Sequence, residues 1–72
     1  MILSEKAREK IKVAGQKYPQ VRSAILPALH VANDEHGYVS DKMFEEIAET
    51  LGIKYVDVAS AASFYTYFPK AP

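Results

Sequence analysis

The chain has no cysteine among its 72 residues. No disulfide can staple it, and no thiolate is present to hold zinc or an iron–sulfur cluster. It also lacks any apolar run approaching the ~20 residues that a bilayer-spanning helix needs. Its opening stretch, MILSEKAREK, is charged where a signal peptide carries its apolar core. A glycine-rich phosphate loop is missing, because the 3 glycines stand apart from one another. No serine sits in a nucleophile context such as G-x-S-x-G. Net charge is zero, which argues against a polyanionic partner. The expectation is a soluble, cytoplasmic protein that neither binds nucleic acid nor inserts into a membrane.

What is present suits a small folded domain. At 49% hydrophobic residues the chain is too apolar for disorder. A single domain spanning 1–72 is expected, burying only roughly 60% of the surface its unfolded form exposes. The charge is uneven. Through Arg22 there are six basic and two acidic residues; from Ser23 to Asp57 there are two basic and seven acidic. Either the two halves complement each other within the fold, or the basic half steers a partner.

The punctuation predicts four short helices. Ser4 is a good N-cap, Glu5 suits the first turn, and Ala7, Ile11, Ala14 and Tyr18 share a face until Pro19 ends the helix. Gly15 weakens the last turn of that helix. Val21, Ala24, Ile25, Ala28, Leu29 and Ala32 form the clearest stripe, at i, i+3, i+4, i+7, i+8 and i+11. Pro27 falls inside that stripe and predicts a kink in one continuous helix two, which Gly37 closes. Ser40 and Asp41 start helix three, whose core face is Phe44, Ile47, Ala48 and Leu51, and Gly52 ends it. Helix four runs from near Lys54 to about Tyr65. The class is all-α, a small bundle of four short helices.

Three constellations invite a chemical reading. Ala48, Gly52 and Val58 have the relative spacing of a helix-turn-helix. Helix four would then present Tyr55, Asp57, Ser60 and Ala61 to a groove, a set without the Arg, Lys, Asn or Gln that read DNA. His30 and Asp34 lie at i, i+4 with Glu35 and His36 close by, but two ligands do not make a metal site. His30 reads as a packed or capping residue, and His36 as a cation suited to a helix end. Glu45, Glu46 and Glu49 read as a solvated face rather than as catalytic carboxylates, for want of a desolvated pocket.

The most informative stretch is Val58 to Phe68, VASAASFYTYF, which carries no charge. A surface helix normally keeps a polar face. Asp57, Ala61, Phe64 and Phe68 lie along one side of helix four, opposite the side led by Val58 and Ala62, and a bundle this small cannot bury both. The small residues Ala59, Ser60, Ala61, Ala62 and Ser63 would let another backbone approach closely. Phe64, Tyr65, Tyr67 and Phe68 are the expected interface residues.

The order of these motifs resembles a known family. The run KYPQVRSAILPALHVANDEHGYVS, then IAETLGI at 47–53 and ASFYTYF at 62–68, is similar to the N-terminal helical domain of the small [2Fe–2S] subunit of NADH dehydrogenase, and of the related gamma-type subunits of NAD(P)-linked hydrogenases and formate dehydrogenases. The likeness covers about residues 10–68. It includes Tyr18-Pro19, Leu26-Pro27, His30, His36-Gly37 and Phe64-Tyr65-Thr66, and departs at Lys54, where the family often has proline. The resemblance implies an assembly or docking domain of an iron–sulfur flavoprotein oxidoreductase. In that family a thioredoxin-like domain carries the cluster, and the partner subunit carries FMN and NAD(P). Without cysteine this chain is expected to bind no cofactor, and to be either an excised N-terminal domain or a stand-alone product. Its expected partners are the flavin- and NAD(P)-binding subunit and the cluster-bearing domain. Pro27, His30, Gly37 and Gly52 are expected to serve structure. The alternative is a helix-turn-helix module for DNA or protein.

Overall fold

A computed structural model describes residues 2–64. Four helices follow in order, α1 (Glu5–Lys17), α2 (Ile25–His36), α3 (Asp41–Leu51) and α4 (Tyr55–Phe64), with a 3-10 turn (Val21–Ala24) ahead of α2. No extended strand occurs among the described residues. The all-α bundle expected from the sequence is the fold.

The helix ends follow local chemistry. The Ser4 hydroxyl oxygen accepts from the Ala7 N–H at 3.1 Å, and Ser40 does the same for Met43 at 3.3 Å, each satisfying a first-turn donor. Tyr18 leaves the helical region at φ −102°, ψ 144°, as the residue before a proline is driven to do. At the end of α3, Gly52 adopts φ 72° and its N–H donates to the Glu49 carbonyl at 3.3 Å. The Ile53 N–H donates to the Ala48 carbonyl at 2.9 Å, completing a Schellman motif that a Cβ at position 52 would strain.

The kink expected at Pro27 is a correction. The stripe does not form one bent helix. A 3-10 turn ends at Ala24 and α2 begins at Ile25, so Pro27 lies in the first turn of α2. First-turn N–H groups have no intrahelical acceptor, so proline loses nothing there. The periodicity persists because a 3-10 turn leading into an α-helix keeps Ala24, Ile25, Ala28, Leu29 and Ala32 on the core side, all buried.

α1 packs on α2 and α3, α3 on α4, and α2 also meets α4. The largest buried side chains are Phe44, Leu3, Ile11, Leu29, Met43, Ile47, Val39 and Val58. Leu3, Val39 and Met43 lie outside the stripes read from the sequence. Gly15 does more than weaken a helix. A Cβ built there would lie 2.8 Å from Leu51 Cδ2, so this is where the α3 side chain leans onto α1.

Candidate functional site

α4 buries Val58 and Ala62, half-buries Ala59 and Ala61 against the core, and leaves its opposite side open. Val56 is 56% exposed and Phe64 83% exposed, with Tyr55 beside them and Ser60 and Ser63 between them on the open side. The outward face is therefore Val56, Ser60, Ser63 and Phe64. Asp57 and Ala61, expected on that face, sit half-buried at its flank. The Ser63 hydroxyl donates to the Ser60 carbonyl at 2.8 Å, which turns its polarity back into the helix. Leaving Phe64 in water forgoes about 1.5–3 kcal/mol of burial. Tyr65, Tyr67 and Phe68, the other expected interface residues, lie outside the described residues.

Two polar contacts fix α4 in place. Asp57 pairs with Arg22 of the 3-10 turn at 3.3 Å, an exposed pair worth about 0–1 kcal/mol. It joins the basic half of the chain to the acidic half. The Tyr55 hydroxyl donates to Asp41 Oδ1 at 3.1 Å, and partial desolvation together with that bond pushes the phenol pKa up. Both contacts lie at the start of α4 and leave the Phe64 end open.

The remaining expected residues fall elsewhere. Pro27 is half-buried at the start of α2, while Gly37 ends that helix at φ 77° with its N–H on the Asn33 carbonyl at 2.6 Å. His30 lies exposed on α2 rather than packed in the core. Glu35 and His36 do not join His30 and Asp34 around a cation; they hold the N-terminal segment. Glu35 Oε1 accepts from the Ser4 N–H at 2.9 Å, and Glu35 Oε2 accepts from the Ser4 hydroxyl. His36 Nε2 is 3.0 Å from the Ile2 carbonyl and 3.0 Å from Glu35 Oε1, both pure acceptors, so this nitrogen carries the ring proton.

Glu46 is the residue that sequence reasoning misplaces. The expectation puts it on a solvated face with Glu45 and Glu49; it is 6% exposed. Its two oxygens accept the Ile2 N–H at 2.8 Å and the Leu3 N–H at 2.9 Å. A buried carboxylate survives only when so paired. Its side chain lies on the same flank as Met43, one turn away on α3. The period of three that places it inside was legible, but an acidic residue there reads as solvent until its backbone donors are known.

Comparison with known proteins sets this geometry in a family. Residues 11–72 match the family described as thioredoxin-like [2Fe-2S] ferredoxin. One NADH-quinone oxidoreductase subunit of Rhizobium meliloti (strain 1021) is 46% identical over 65 residues, covering 90% of this chain and 39% of that protein. An NADH-quinone oxidoreductase subunit of Escherichia coli (strain K12) is 34% identical over 70 residues, covering 97% of this chain and 42% of that protein. NADH-quinone oxidoreductase subunit 2 of Thermus thermophilus is 38% identical over 58 residues, covering 78% of this chain and 32% of that protein. The chain thus spans about two fifths or less of the length of these relatives. The residues present do not fit a [2Fe–2S] cluster, since cysteine thiolates are wanting. With its matching region running across all four helices, the chain belongs to the thioredoxin-like [2Fe-2S] ferredoxin family.

Proposed function

We propose that this chain is the helical assembly module of an NADH-linked iron–sulfur oxidoreductase. In that role it docks against the flavin- and NAD(P)-binding subunit and positions a separate cluster-bearing domain within electron-transfer distance of the flavin. The names of the relatives support the enzyme class. The open apolar end of α4 supports the docking role, and Phe64, 83% exposed, is the observation that carries it. The module performs no chemistry itself. It contributes shape and apolar surface, while the cluster belongs to a part of the enzyme that supplies cysteine.

The helix-turn-helix alternative gains nothing from the fold. The exposed positions of α4 are Tyr55, Val56, Ser60, Ser63 and Phe64, a set with no cation for the phosphate backbone and no Arg, Asn or Gln to read a base edge in bidentate fashion.

The test is Val56→Ser combined with Phe64→Ser. Both side chains are exposed, so circular dichroism should show unchanged helicity. Calorimetric titration against the flavoprotein subunit should show affinity reduced at least about tenfold, the loss expected when an apolar contact of this size is removed. Undiminished affinity, or unfolding of the double variant, would overturn the docking role.

A further inference from the structure

We propose that Ile2, Leu3 and Ser4 form a latched strap that opens as a unit while the four helices stay packed. The backbone N–H groups of all three residues donate to side-chain carboxylates, Glu46 for the first two and Glu35 for the third, rather than to a helix or a sheet. The Ile2 carbonyl is held by His36. The latch therefore joins the last turn of α2 to the middle of α3, through side chains alone. Leu3, 1% exposed, is the plug that the latch holds in the core.

The hinge falls at Ser4. The Ser4 N–H lifts with the strap, while its carbonyl, which accepts from the Arg8 N–H at 3.0 Å, and its hydroxyl oxygen, which accepts from the Ala7 N–H, stay with α1, so no helical bond need break. Opening uncovers Leu3 and the covered part of Ile2, and releases the backbone hydrogen bonds to Glu46, Glu35 and His36. Unfolding uncovers the whole core. Segments of that kind open locally, well below the free energy of global unfolding. The strap is thus a built-in conformational element, one whose release exposes the apolar seat of Leu3. The inference stands independently of the docking role of α4.

Amide hydrogen exchange of the 72-residue chain, read by NMR in dilute urea, tests it. The Leu3 amide should exchange at least about tenfold faster than those of Leu29 and Ile47, with little urea dependence because little surface is exposed on opening. In Glu46→Gln, which puts an NH2 donor where one of the two accepting oxygens stood, Leu3 should lose nearly all protection while Leu29 and Ile47 stay protected. Equal protection and equal urea dependence for the three amides in the native chain would overturn the proposal. So would loss of protection at Leu29 and Ile47 together with Leu3 in the variant. The native-chain measurement decides the matter even where the variant does not fold.

Discussion

Glu35 and Glu46 are two carboxylates with the same task and different surroundings. Glu46 is buried and takes two backbone donors, so Glu46→Ala leaves the buried Leu3 N–H unpaired at about 1–3 kcal/mol, while the part-buried Ile2 N–H can turn to water. Glu35 is on the surface, and its bonds from the Ser4 hydroxyl and then the Ser4 N–H hold its pKa below the ordinary glutamate value, with His36 adding to the effect. The groove beside it also presents Lys6, Lys10 and Asp34. Because the folded value is lowered, the stabilisation is complete above the ordinary carboxylate value and is lost as pH falls through the lower folded one. The Ser4 amide resonance should therefore titrate with a midpoint below the ordinary glutamate value. That transition should vanish in Glu35→Gln, and a midpoint at or above the ordinary value would show that the bonds to Ser4 are not formed.

At the scale of the helix, Pro27 separates two accounts of α2. A proline inside a continuous helix costs about 3 kcal/mol, so replacing it with alanine would stabilise the chain markedly. A proline in the first turn costs nothing and restricts the unfolded chain, so Pro27→Ala should change stability by less than about 1 kcal/mol and in the destabilising direction. Urea unfolding distinguishes the two. The elements were mostly legible because their determinants are local: Ser4 and Ser40 as caps, Pro19 as a stop, Gly37 and Gly52 as left-handed ends. The 3-10 turn was hidden, since it shares the apolar spacing of the helix that follows. Leu3 and Val39 were hidden because neither lies on a periodic stripe; their burial depends on what the rest of the bundle brings near them. The candidate face on α4 was half legible. Its lack of charge was visible, whereas the choice between Asp57 and Val56 as its leading edge depends on how α4 sits on α3.

For the molecule as a whole, a domain of this length has roughly 4–11 kcal/mol of stability to lose. Phe44 is the largest fully buried side chain, and Phe44→Ala removes about 3–5 kcal/mol. A thermal melt should drop by at least about 12 °C; a smaller fall would mean that the bundle collapses around the vacancy. Such thin reserves also explain why the first residues matter. Ile2 and Leu3 meet Glu46 across sequence separations of 44 and 43. During synthesis, these leading residues have no seat until the third helix has left the ribosome. Closing this ring must therefore wait on a long stretch of later-made chain, and until then the seat of Leu3 stands open.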